Sequence, residues 1–161
     1  MSSSRTLLAA AALLLSACGF QLRGDPAVGL KTLQLSTAGP TAVLTDIRRV
    51  LATGQTKVVP KDAEANLRIL EERREKTVHT ITGSGRVYEF QLRLIVRYEV
   101  RIPGHEELLI DPTEVVATRY ITYSEAAPTA KETEEQLLYK DMQVDIAGRI
   151  LRQIAVAKRE L

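Results

Sequence analysis

Between Val87 and Ile102 the apolar residues fall on a period of two. Tyr88, Phe90, Leu92, Leu94, Val96, Tyr98, Val100 and Ile102 take every even position, while the odd positions hold Glu89, Gln91, Arg93, Arg97, Glu99 and Arg101, with only Val87 and Ile95 apolar. Alternation of this kind marks a strand with one face on a core and the other in water. At about 3.3 Å per residue it would run roughly 50 Å, far beyond the usual strand. Pro103-Gly104 ends it, and after Asp111-Pro112 a third long strand reads Thr113 to Ser124, with Val115, Ala117, Ile121 and Tyr123 on one side. Leu30 to Ser36 alternates more weakly, with Leu33 and Leu35 on one face, and predicts a short first strand.

Two stretches carry helical spacing. Val43, Leu44, Ile47, Val50 and Leu51 lie on one face of a predicted helix 41–53, with Pro40 suited to its first turn and Gly54 to its end. Leu138, Met142, Ile146, Ile150 and Ile154 recur every four residues, flanked by Ala147 and Leu151. They predict a helix 130–158 of about 43 Å, close to the length of the long strand. Thr129 followed by Glu132 fits a capping box at its start.

Residues 65–82 are divided. Glu71-Glu72-Arg73-Arg74-Glu75-Lys76 favours helix, whereas Thr77-Val78-His79-Thr80-Ile81-Thr82 favours strand, and nothing separates the two parts. Gly83-Ser84-Gly85 is a turn leading into the long strand, so 65–82 is assigned as the strand paired with it. The predicted fold is α+β: a four-stranded, mostly antiparallel sheet with two helices on one face, in the order β-α-β-β-β-α.

Composition removes more possibilities than it adds. The chain has 161 residues and one cysteine, which excludes an internal disulfide and a multi-thiolate zinc site, and its two histidines leave little material for a multi-histidine metal centre. Twenty-two basic against 20 acidic residues leave a net charge of +2, far from a surface built for nucleic acid. No nucleophile elbow or Ser-His-Asp arrangement is present. His79 and His105 fall in hairpin regions without a motif, and Glu106-Glu107 with Asp111 read as solvated carboxylates. The chain reads as non-enzymatic, with no metal site.

The N-terminus is the most specific segment. One positive charge, Arg5, precedes the unbroken apolar run Leu7 to Leu15, which is the layout of a secretory signal and too short to span a bilayer. Leu15-Ser16-Ala17-Cys18 resembles the lipobox of bacterial lipoproteins, and the only cysteine stands where that motif needs it. The resemblance implies cleavage before Cys18, which would carry a diacylglycerol and an N-acyl chain; several chains hold a protein to a membrane stably where one does not. Gly19, in place of an aspartate, favours outer-membrane sorting. The division expected is 1–17 signal peptide, 18–29 lipidated tether, and 30–161 a single α+β domain. The product of 144 residues has 21 basic and 20 acidic groups.

Charge on the domain admits one ligand idea. Arg93, Arg97 and Arg101 share the wet face of the long strand and read as a solvated row balanced by Glu89 and Glu99. Arg86 and Lys131 lie beside loops, where a phosphate can be met without burying the sheet's charges.

The string Cys18-Gly19-Phe20-Gln21-Leu22-Arg23-Gly24 resembles the opening of the LPS-assembly lipoprotein family, LptE. Glu89-Phe90-Gln91, Ile102-Pro103-Gly104, Lys131-Glu132, Lys140-Asp141-Met142, Ala147 and Leu151-Arg152 follow in the family's order. The resemblance implies two helices on a four-stranded sheet and a plug within the outer-membrane β-barrel protein LptD. It also implies help in assembling that barrel, and binding of lipopolysaccharide on its way to the cell surface. Its candidate ligand contacts are basic residues after the second strand, approximately matched by Arg86, and before the last helix, matched by Lys131. The function expected is therefore an outer-membrane lipoprotein, anchored in the inner leaflet with its domain in the barrel lumen. The alternative is an accessory lipoprotein subunit of another envelope transport machine that binds protein only. No cofactor is expected beyond the lipid on Cys18.

Overall fold

The computed structural model describes residues 28–123 and 128–160. The signal, Cys18 and the segment up to residue 27 lie outside these described residues. The elements are β1 (Thr32–Thr37), α1 (Val43–Thr53), β2 (Lys57–Val58), β3 (Ala65–Ile81), β4 (Val87–Arg101), β5 (Leu108–Thr122) and α2 (Pro128–Arg159). The sheet order is β2-β1-β3-β4-β5, with β1 parallel to both its neighbours and β3-β4-β5 antiparallel.

The α+β class and the two helices agree with the sequence reading; the strand count and pairing do not. The sheet has five strands and is mixed, where four mostly antiparallel strands are predicted. The extra strand, β2, is only two residues long, too short to leave a period in the sequence. The parallel pairing of β1 with β3 follows from α1, which carries the chain over the sheet before β3 begins, as parallel neighbours require. β5 starts at Leu108, five residues before the predicted Thr113, and runs through Pro112. A proline is tolerated there because β5 is an edge strand and the ladder slips between the pairs Tyr98–Thr113 and Val100–Ile110. α2 begins at Pro128, so Thr129 lies inside the first turn instead of at the cap, its carbonyl accepting the Thr133 hydroxyl. α1 begins at Val43, leaving Pro40 in the preceding turn.

The divided segment 65–82 is a strand, and one irregularity explains its mixed signals. Ala65, Leu67 and Ile69 face the core, Leu67 and Ile69 opposite Val100 and Tyr98 of β4, after which the ladder slips between Ile69 and Glu71. The extra residue, Leu70, reverses the alternation. Beyond it Glu72, Arg74, Lys76 and Val78 stand opposite Val96, Leu94, Leu92 and Phe90, on the core face of the sheet. A bulge of this kind re-aims every later side chain.

Both helices lie on that face. Glu72 Oε2 accepts hydrogen bonds from the Thr41 hydroxyl at 2.6 Å, the Ala42 N–H at 2.8 Å and the Val43 N–H at 3.1 Å, and so caps α1 from 30 residues away. Ala42, at the N-cap, offers no side-chain oxygen, so the three donors have no local partner. α2 runs along β4 and β5. Lys131 Nζ bonds Thr122 at one end and the Tyr98 hydroxyl donates to Gln153 near the other. The helix rises about 33 Å between Lys131 and Gln153, while β4 advances about 30 Å from Glu89, opposite Thr122, to Tyr98. The length match expected from the sequence is thus realised in contacts.

The core comprises the predicted stripes. Leu92, Leu94, Val96, Tyr98 and Val100 of β4 meet Met142, Ile146, Ile150 and Ile154 of α2, and Ile47 and Leu51 of α1 close the other half. Each such side chain contributes about 1.5–3 kcal/mol on leaving water. Val28 and Leu30 already belong to this core, and Gly29 backs onto Lys158 at the end of α2. Between the helices, the buried Asp46 carboxylate accepts from Lys140 Nζ at 3.0 and 3.2 Å and from Arg49. Removing Lys140 would leave a buried charge short of a partner, the situation that makes broken ion pairs costly.

The open face of the sheet is wet, as its pattern requires. Arg93 pairs with Glu75 at 2.7 Å, Arg68 approaches Glu99 at 3.9 Å, and Arg73 bridges Glu71 and Glu75. Of the arginine row, Arg93 is thus paired with Glu75 of β3, while Glu99 of β4 pairs with Arg68 of β3. Hydrogen bonds to Glu75, followed by the Glu71 and Glu75 charges, raise the Arg73 guanidinium further above its usual value despite opposition from burial.

Two expected outcomes follow from this packing. Replacing Glu72 with Ala strips α1 of its cap and should lower unfolding stability by about 1–3 kcal/mol. Urea denaturation should show a lower midpoint with an unchanged slope, and an unchanged midpoint would contradict the capping role. Burial pushes the Tyr98 hydroxyl up to about 12 from its ordinary 10. The unfolded chain therefore releases this proton first as pH rises. The stability that Tyr98 contributes is present below pH 10 and is lost towards pH 12, by at most about 1.4 kcal/mol per pH unit. The stability difference between the wild type and Tyr98→Phe should shrink across that window; a constant difference would rule the effect out.

Candidate ligand cleft at the start of the long helix

The two cations singled out by the sequence lie at the same end of the sheet but not together. Arg86 is exposed in the β3–β4 hairpin, where its backbone N–H donates to the Thr82 hydroxyl and its carbonyl accepts from the Thr82 N–H. Glu89 is level with Thr122, so Arg86 lies three residues, about 10 Å, further along β4 than the residue that meets Lys131. Lys131 is only 26% exposed, and its ammonium donates to Thr122 Oγ1 at 3.0 Å and Glu134 Oε2 at 2.8 Å.

Lys131 lines a cleft of about 190 Å³ between the first turns of α2 and the ends of β3, β4 and β5. Phe90, Ile121 and Tyr123 supply apolar walls, with the Phe90 and Tyr123 rings edge to face at 5.8 Å. A second cation shares the cleft. Lys76, brought to the helix side by the bulge at Leu70, donates to Glu135 Oε2 at 2.6 Å and sits 4.6 Å from the centre of the Phe90 ring. Sequence reading passed over Lys76 because it closes a run of six charged residues with no visible face. Only the register against β4 assigns it one.

Each lysine is held by one of two consecutive glutamates, and a third carboxylate, Glu132, also lines the cleft. Next to it, Tyr139 donates its hydroxyl to the Glu75 carbonyl at 3.0 Å, and Arg74 lies 4.8 Å from its ring. Burial, then the Glu135 carboxylate, raises the Tyr139 hydroxyl above its usual value, partly opposed by Arg74.

The surroundings are unusually apolar for a surface. Val78, Ile81, Tyr88, Tyr120 and Tyr123, each between 44% and 60% exposed, are five of the nine large hydrophobic residues that stand exposed among the described residues, and all five belong to this end of the sheet, with Tyr120, opposite Gln91, on its open face. His79 packs against the Tyr120 ring at 4.6 Å and lies 3.9 Å from Glu89. It is a surface histidine, and His105 is exposed in the β4–β5 loop, as their sequence settings imply.

Larger hollows occur elsewhere. One of about 910 Å³ lies between α1 and the β1–β2 edge, and one of about 510 Å³ lies against the last turns of α2. The first is an open trough, and in the second Tyr98–Gln153 and Arg149–Asp145 already satisfy one another. Each also pairs two cations with apolar residues, Arg48 and Lys57 in the first and Arg149 and Arg152 in the second, but neither contains Lys131 or Arg86.

Residues 30–154 match the sequence pattern of LptE, described as lipopolysaccharide-assembly. The chain belongs to the LptE family. The LPS-assembly lipoprotein LptE of Yersinia enterocolitica is 33% identical over 157 residues, 93% of this chain and 74% of that protein. The protein of the same name from Pectobacterium atrosepticum is 28% identical over 154 residues, 92% of this chain and 82% of its own. Among solved structures, lipoprotein B of Nitrosomonas europaea superposes with a TM-score of 0.74 at 33% identity, covering 88% of this chain and 93% of that one. Rare lipoprotein B of Shewanella oneidensis gives 0.71 at 25%, covering 80% and 97%. The family resemblance carried by Glu89-Phe90-Gln91, Lys131-Glu132 and the strings after them is borne out, and with it a role in lipopolysaccharide assembly.

Proposed function

We propose that this LptE-family protein is a non-enzymatic outer-membrane lipoprotein, anchored through lipid on Cys18. It fills and helps assemble the β-barrel LptD, and binds lipopolysaccharide in transit. The observation that carries the reading is the family match across residues 30–154, joined to a cleft that suits an anionic amphiphile. Lys131 meets a phosphate by charge-assisted hydrogen bonds, the strongest kind available to such a group. Phe90, Tyr123 and the exposed residues about them receive the apolar part of the ligand. Arg86, on the hairpin beyond, takes a second contact further from the helix. Within the barrel, the wet face of β3 and β4, with its charged side chains, suits a polar lumen.

Two measurements test this. Affinity capture of the lipidated protein from detergent-solubilised outer membranes should recover a β-barrel partner in stoichiometric amount. Recovery of a transport subunit without any barrel would transfer the protein to a different envelope machine. Reversing charge with Lys131→Glu should weaken lipopolysaccharide binding by about tenfold, the loss of one charged hydrogen bond. Equal affinity in wild type and variant would remove Lys131 from the site.

A further inference from the structure

We infer that Lys76 is a second phosphate-binding cation of this cleft, and that Glu134 and Glu135 hold the two lysines as a latch which the incoming phosphate must displace. The inference rests on the ligand reading above. Three observations carry it. Lys76 and Lys131 line one cleft from opposite sides, one from strand β3 and the other from helix α2. Each is fixed by a consecutive carboxylate of the helix, Lys76 to Glu135 at 2.6 Å and Lys131 to Glu134 at 2.8 Å. Both side chains are partly shielded, at 42% and 26% exposure, with the Lys76 ammonium resting on the Phe90 ring, so both cations are oriented before any ligand arrives.

The chemistry is an exchange of partners. A phosphate group carries more charge and more acceptor oxygens than one carboxylate, so it can take both ammonium groups at once. Glu134, 49% exposed, can turn to solvent, whereas Glu135, 23% exposed, remains beside the site. Glu135 is therefore the principal competitor, and neutralising it should strengthen binding. A purely structural ion pair tying β3 to α2 predicts the reverse, since its loss loosens the helix start.

The test measures binding of labelled lipopolysaccharide to the full lipidated protein in detergent. Glu135→Gln should tighten binding about threefold, the effect of releasing one exposed ion pair. Lys76→Gln should weaken it about tenfold, Lys76→Arg should retain it, and Lys76→Gln should abolish the gain given by Glu135→Gln. Dephosphorylated lipopolysaccharide should show no gain from Glu135→Gln, and a gain that persists would overturn the phosphate assignment. Full competition by inorganic phosphate would reveal a free-anion site and overturn the lipid one. Loss of binding in Lys131→Glu with unchanged or weaker binding in Glu135→Gln would overturn the role of Lys76 while leaving the ligand reading intact. Absence of wild-type binding would sink both.

Discussion

The slip of one residue at Leu70 is the constraint on which the rest of the molecule depends. Before it, β3 presents Ala65, Leu67 and Ile69 to the core and pairs with β1; after it, the same face carries Glu72, Arg74 and Lys76. An uninterrupted strand would turn those three charged groups to the wet side and leave α1 without a cap. It would also leave the first turns of α2 without their partners on the sheet. Charged groups on a helix-facing surface dock it only where each finds a partner, whether half-buried as Glu72 or exposed as Arg74 and Lys76. Here each does: Glu72 in three donors of the α1 start, Arg74 in the Tyr139 ring, Lys76 in Glu135. The strand thus changes, part-way along, from a packing element into a docking rail for two helices.

That change also sets what the sequence can disclose. The even-position stripe of β4 and the four-residue recurrence of α2 are legible because one rule holds along their whole length. β3 obeys two rules of opposite phase, and its charged half has no apolar residue to reveal the second. Glu72 could not be recognised as a cap, because its partners are 30 residues away and Ala42 gives no local sign. β2 is too short for any period, and the parallel pairing of β1 is settled by the path of α1 across the sheet. At the cleft, Lys131 is visible because it opens a helix beside a loop. Lys76 is hidden in a run of charges, and only pairing with β4 separates those facing the helices from those facing water.

Charge is used twice in the fold, with different effect. On the open face, Arg93–Glu75 and Arg73 with its two glutamates are exposed pairs that add little stability. Asp46 is the opposite case, a carboxylate 1% exposed and held between Lys140 and Arg49, so that the two helices cannot slide without stranding it. The lysines of the cleft lie between these extremes, shielded enough to be oriented and open enough to be reached.

Gly29 lies against Lys158, so the chain joins the domain at the end of α2 furthest from Lys131. From residue 131 to residue 158 the helix rises about 40 Å, more than the roughly 30 Å of a bilayer's hydrocarbon. The domain therefore acts as a spacer of fixed length. On the proposed reading, the membrane attachment through the N-terminal segment and the ligand in the cleft would lie at opposite ends of the domain.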